Sequence, residues 1–149
     1  MKKEFNASVL AFLLSFLLLG ILSYYSFISD CVWGGADNYI HYRLARYSFH
    51  HPEFFLDHWG KPLFTLLSSP FAQFGFEGVK FFNLLLGVLS GFLCFRIVEK
   101  CSYFNSILAI PFTIFMPMFF SMMFSGMTEI LFAFVIVLGV YLFFKSNYI

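Results

Sequence analysis

Charge is what this chain has least of. Only 11% of its residues are Asp, Glu, Lys or Arg, against about a quarter in an ordinary soluble domain. So few charges cannot cover 60% hydrophobic residues with a water-facing surface, which excludes an independent soluble domain. A surplus of one sign is missing as well. The net charge is +1, which argues against a nucleic-acid surface or a polybasic lipid-binding patch. Cysteine is scarce: 3 residues with no Cys-x-x-Cys offer neither a disulfide framework nor a paired-cysteine metal site. There is no internal repeat, Walker A loop or dinucleotide fingerprint, and Gly34-Gly35-Ala36-Asp37 is too short to cradle a phosphate by itself.

What is present fits a lipid solvent. The 25 Phe would aggregate in water, whereas a bilayer-facing surface tolerates them. The expected fold is all-α and integral to the membrane, a single membrane domain with about four transmembrane helices and interfacial helices in the first outer loop. A helix rises about 1.5 Å per residue, so about 20 apolar residues cross a hydrocarbon core of roughly 30 Å. Residues 7–28 carry no charge and form the first span. A signal peptide is the alternative, but the apolar run is long and no small-x-small cleavage site ends it. Residues 30–62 form an outer loop holding His41, His50, His51 and His58, both tryptophans, Asp30, Asp37, Glu53 and Asp57. Residues 63–76, interrupted by Pro70, are too short to cross and suit a re-entrant or interfacial helix. Further spans are expected at 79–98, at 107–124 with breaks at Pro111 and Pro117, and at 128–144.

Orientation follows the Lys and Arg bias. A cytoplasmic N-terminus puts Lys2, Lys3, Arg96, Lys100 and Lys145 inside, with Arg43, Arg46, Lys61 and Lys80 spread outside. The histidine-rich loop and the Ser125-Gly126-Met127-Thr128-Glu129 turn then share the non-cytoplasmic face. The same topology separates Cys31 (outside), Cys94 (second span) and Cys101 (inside), so no intramolecular disulfide is expected.

Three features of that face can carry chemistry. Ile40, Leu44 and Tyr47 recur at helical spacing, so 36–49 is expected as an amphipathic helix on the membrane surface. Asp37 opens it after Gly34-Gly35, with His41 one turn along on the same face. Asp37 is either a helix-start carboxylate, stabilised by free N–H groups and the macrodipole, or a general base at the mouth of a membrane cavity; the two roles can coexist. The second feature is Lys61. Next to Pro62 at the membrane surface, it can meet a phosphate as a point charge. The histidines beside it lack His-Glu-x-x-His spacing, so no metal ligands are assigned. The third is Glu129, a carboxylate at the edge of an apolar helix. It is either part of a helix start with Ser125 and Thr128 or a functional group.

In this order the residues resemble the membrane-embedded glycosyltransferases of the GT-C fold, relatives of the protein mannosyltransferases and of the enzyme that adds aminoarabinose to lipid A. Asp37 matches their first-loop aspartate. His58-Trp59-Gly60-Lys61-Pro62-Leu63-Phe64 looks like the segment in which the chain re-enters the membrane with a Lys-Pro or Tyr-Pro pair. Ser125-Gly126-Met127-Thr128-Glu129-Ile130-Leu131-Phe132 looks like a Gly-x-Thr-Glu-x-x-Phe signature opening a later helix. The resemblance covers nearly all of this chain but only the N-terminal part of a full family member, which has eight or more spans. It implies a fragment, a chain needing a partner subunit, or one without activity.

The resemblance implies transfer of a sugar from a polyprenyl-phosphate donor to an acceptor hydroxyl, at the outer face of a bacterial inner membrane. Asp37 would be the general base. Lys61, with Arg43 or Arg46, would hold the phosphate, and His58, His41 and Glu129 would line the substrate site. No cofactor is expected, a divalent metal remaining open. The partners would be the donor lipid, membrane lipid and the missing part or a partner subunit, with no nucleic acid. The other classes are a non-catalytic membrane subunit or assembly factor, and a transporter component, for which no inverted repeat is visible.

Overall fold

The computed structural model describes residues 2–29, 32, 34–101 and 105–147, with side chains from Ala7 to Ser146. Asp30, Cys31 and Trp33, which the sequence assigns to the outer loop, lie outside the described residues. The described residues form seven α-helices, two short 3-10 turns and no strand. In order they are α1 (Lys2–Ile28), α2 (Gly35–Tyr47), a 3-10 turn (Pro52–Leu56), α3 (Pro62–Ala72), α4 (Phe76–Cys101), a second 3-10 turn (Ser106–Leu108), α5 (Ala109–Ile114), α6 (Pro117–Met123) and α7 (Glu129–Asn147).

Three helices, α1, α4 and α7, are long and apolar enough to cross a membrane. The expected span at 107–124 is not one helix: α5 and α6 meet at a 66° bend. The cause is local. Met116 precedes Pro117, whose ring disfavours a helical residue before it, and Met116 accordingly takes an extended ψ of 123°. Pro70, expected to interrupt its segment, instead sits inside α3. A proline there has no N–H for the Leu66 carbonyl, and the Ser69 hydroxyl donates to that carbonyl at 3.0 Å in its place. What ends α3 is the turn through Gly75 at φ 90°, so the expected helix over 63–76 stops at Ala72 and Phe76 already belongs to α4.

The centre of the bundle is α4, which packs against α1, α3, α5, α6 and α7. Glycines make this possible. A Cβ at Gly78 would lie 2.0 Å from the Phe71 carbonyl oxygen, so only glycine lets α3 come this close. One Gly-x-x-x-Gly further along, Gly87 and Gly91 admit Met123 and Ile114 of the bent pair, the small-residue contact by which membrane helices approach.

Two cations of α4 tie it to α1. Lys80, counted among the outer charges at the start of the expected span over 79–98, is 1% exposed within α4. Its Nζ pairs with Glu77 at 2.8 Å and donates to the Ser26 carbonyl at 3.1 Å, near the end of α1. At the opposite end, Arg96 donates to Ser8 Oγ at 2.8 Å and pairs with Glu99 at 2.7 Å. A charge buried in an apolar bundle is tolerated only with such partners.

A cap of α2, the first 3-10 turn and α3 covers one end of the bundle. Arg46 clamps it by donating to the Ala72 carbonyl at 3.0 Å and to the Gln73 carbonyl, while Gln73 Nε2 donates back to the Arg46 carbonyl at 3.2 Å. These are the free carbonyls at the end of α3, which a guanidinium satisfies well.

Candidate functional site

The site is assembled from three segments far apart in sequence. The first is the start of α2. Gly34, at φ 108°, has no room for a side chain: a Cβ would stand 2.7 Å from Asn38 Nδ2 and 2.9 Å from Met127 Cγ. This turn sets Asp37, half-buried, in the first helical turn, and His41 one turn later on the inward face. His41 is 5% exposed, its ring edge-on to Phe64 at 5.9 Å, and its Nδ1 has no hydrogen-bond partner.

The second segment is the turn into α3. Asp57 Oδ1 accepts from the backbone N–H of Trp59 (2.8 Å) and of Gly60 (3.1 Å), closing an Asx turn. Thr65 locks the next step: its hydroxyl donates to the Gly60 carbonyl at 3.0 Å and its N–H to the Lys61 carbonyl at 3.0 Å. Between these anchors Lys61 takes φ 57° and ψ 99°, a conformation a side-chain-bearing residue adopts only under constraint. Such strain costs about 1–3 kcal/mol and persists where the surroundings impose it. Pro62 then starts α3, and the Lys61 side chain stands exposed at the lip of a cavity.

The third segment is the turn between α6 and α7. Asn83, inside α4, donates through Nδ2 to the carbonyls of Ser125 (2.7 Å) and Met127 (2.9 Å). Asn38 on α2 accepts from the Gly126 N–H at 2.8 Å. Gly126 fits only as glycine, because a Cβ would be 2.9 Å from the Asn38 carbonyl oxygen. Two asparagines thus pin residues 125–127, and Glu129 follows as the first residue of α7, with its side chain exposed.

A cavity of about 350 Å³ opens between the second and third segments, and neither Asp37 nor His41 lines it. Lys61, Thr128 and Glu129 give it a polar rim, and Leu63, Phe64, Leu131, Phe132 and Val135 form an apolar wall along α3 and α7. His41 registers the arrangement electrostatically. Burial pushes its imidazole below the usual 6.5; the charges of Asp37 and Glu129 pull the other way, and Lys61 adds to the lowering. Asp37, Glu129 and Lys61 are therefore all near enough to act on this imidazole, which burial keeps neutral at neutral pH.

The remaining candidates lie elsewhere. Arg43 projects from the opposite face of α2 into a separate cleft with Ile40, Leu44, Tyr47 and Phe54. Arg46 is engaged by the end of α3, which gives it a structural task rather than a free guanidinium for a ligand. His58 is exposed on the Asx turn and does not line the cavity. His51 pairs with Glu53 at 3.3 Å on the surface, and His50 is exposed. Among the described residues, no three His, Cys, Asp or Glu side chains stand together in a way that could hold a metal ion.

Sequence reasoning missed Asn83, Asn38 and Thr65. Asn83 was findable, since an amide within an apolar span is costly unless it has a task. Asn38 gave no such signal beside Asp37 in an ordinary polar helix start. Comparison with protein-family models, curated proteins and solved structures finds no match to this chain.

Proposed function

We propose that this chain is a membrane glycosyltransferase of the GT-C type, or the N-terminal part of one. It transfers a sugar from a polyprenyl-phosphate donor to an acceptor hydroxyl on the non-cytoplasmic face of a bacterial inner membrane. One observation carries the reading: the charges of Asp37, Lys61 and Glu129, from three distant segments, all act on buried His41, and Lys61 and Glu129 rim an apolar-walled cavity beside it at one end of a bundle of membrane-length helices. A ligand with a charged head and a long apolar tail matches a cavity with Lys61 on its polar rim and a wall of Leu, Phe and Val.

The chemistry follows from the groups. The acceptor oxygen attacks the anomeric carbon while its proton passes to the Asp37 carboxylate. The bond from that carbon to the phosphate oxygen breaks, and the lipid phosphate leaves with the electron pair. Lys61 stabilises the charge that develops there. Phosphate is a good leaving group, so a single base suffices. Neutral His41 adds no second cation beside Asp37. Glu129 faces the same cavity and fits a sugar hydroxyl as an acceptor.

A transporter component is the second reading, and the 66° bend between α5 and α6 is what favours it, because transporters bind ions at broken helices. That segment carries no charged residue between Ser106 and Met123, so it offers nothing to hold an ion by charge. The two readings separate in a binding experiment. A polyprenyl phosphate titrated onto the purified chain in detergent should bind, and Lys61→Ala should weaken it about tenfold or more, equivalent to about 1.4 kcal/mol. Equal affinity in wild type and Lys61→Ala would remove the phosphate role.

A further inference from the structure

Helix α2 is packed with its polarity reversed. The face it turns to the bundle carries Asn38, His41 and, just past its end, Ser48, with Ala45 as the one buried apolar residue. The opposite face carries Ile40, Leu44 and Tyr47 at helical spacing, with Ile40 39% and Tyr47 48% exposed. A helix in water would bury these and expose the polar set. The reversal is stable only if something apolar covers the outer face.

That face is not a flat apolar patch. Ile40, Leu44 and Tyr47, with Phe54 from the 3-10 turn, wall a cleft of about 210 Å³ that also holds Arg43. Phe54 is held in place by a ring contact to His51 at 5.2 Å. Among the described residues Arg43 has no ion pair or hydrogen bond, and the acids nearest in sequence are turned elsewhere: Asp37 acts on His41 and Glu53 pairs with His51. One unmatched guanidinium therefore sits among aliphatic and aromatic side chains. Phe49, Leu56, Trp59 and Phe74 of the same cap are also open, so the surroundings are apolar well beyond the cleft.

We propose that the Arg43 cleft binds the headgroup phosphate of a membrane phospholipid, with Ile40, Leu44, Tyr47 and Phe54 against its glycerol and upper acyl carbons. The occupant follows from three observations together. The cap sits at the end of helices long enough to cross a bilayer, which places α2 near the depth of the headgroups. A guanidinium binds phosphate bidentately and is desolvated more readily than an ammonium. Tyrosine beside it suits an interface that is apolar on one side and wet on the other. This site lies on the other face of α2 from His41 and does not depend on the glycosyltransferase reading.

The test is lipid retention by the delipidated chain in detergent, titrated with phosphatidylglycerol and read by native mass spectrometry. Arg43→Gln should lower apparent affinity about tenfold, and Arg43→Lys should restore part of it, because a point charge replaces the fork. Lys145→Gln, at the end of α7 far from the cap, should leave this binding unchanged, and diacylglycerol, which lacks the phosphate, should bind wild type and Arg43→Gln equally weakly. Arg43 is exposed, so both variants should keep the wild-type unfolding midpoint. Wild-type affinity for phosphatidylglycerol in Arg43→Gln would overturn the proposal. So would loss of a co-purifying protein from that variant with lipid binding unchanged, since a protein would then be what covers the face.

Discussion

Replacing Asn83 by alanine tests whether a single amide holds the α6–α7 turn in place. In the native bundle Asn83 Nδ2 donates to two carbonyls, Ser125 at 2.7 Å and Met127 at 2.9 Å. Each net bond is worth about 0.5–1.5 kcal/mol, and a carbonyl left buried without a partner costs about 1–3 kcal/mol. Ser125 is fully buried, so its carbonyl has no easy recourse to solvent. Against this, Asn83 Oδ1 itself lacks a partner, and truncation relieves that group. Weighing these, Asn83→Ala should lose about 2–3 kcal/mol of stability. The assay is unfolding in mixed micelles of rising SDS fraction, followed by tryptophan fluorescence. Asn83→Asp keeps the size but removes the amide donors, so it should fall with the alanine variant rather than with wild type. A loss below about 0.5 kcal/mol in both would refute the idea that this amide anchors the turn.

Three other outcomes follow from the geometry. Lys61→Gly should raise stability by about 1 kcal/mol, because glycine adopts φ 57° without strain, while weakening polyprenyl-phosphate binding; unfolding in micelles and lipid titration on one sample separate the two effects. His41 has its pKa lowered on folding, so the unfolded chain binds its proton first and stability is present above pH 6.5 and lost as pH falls from there through the folded value. His41→Gln should flatten that slope between pH 7 and 5 in the same unfolding assay, and an unchanged slope would place the titration elsewhere. With the N-terminus cytoplasmic, a cysteine placed at Glu53 should react with an impermeant thiol reagent added outside whole cells, and one at Lys100 should not; reversed labelling would move the Asp37 site to the other side of the membrane.

The long elements were legible because lipid imposes a simple rule. Twenty or so apolar residues with few charges read as a span, and α1, α4 and α7 follow it. That 36–49 would be largely helical was legible from Ile40, Leu44 and Tyr47 at helical spacing, although only the structure shows that the inward face of α2 is polar. The bend at Met116 was half-visible. Pro117 marked a break, but whether a chain kinks or turns by 66° depends on what it packs against. The burial of Lys80 was not legible, because its partners Glu77 and Ser26 could not be matched to it from sequence alone. Asp37, His41, Lys61 and Glu129 were all named as candidates; the placement of the α6–α7 turn beside α2 rests on Asn38 and Asn83, whose bonds cross 88 and 42 positions of the chain. Arg43, Arg46 and His58 were grouped with them by loop and charge. Helical phase separates Arg43, and hydrogen bonding to α3 claims Arg46.

The central claim is that Asp37 takes the acceptor proton, and Asp37→Asn tests it most directly. The measurement is transfer of labelled sugar from a polyprenyl-phosphate donor, made alongside donor affinity, on the full chain as the cell makes it and at matched expression. General-base assistance is worth about 10²–10⁴ in rate, so transfer should fall by at least about a hundredfold while donor affinity stays within about twofold of wild type. Near-normal transfer in Asp37→Asn would contradict the account and leave Asp37 as a helix-start carboxylate alone.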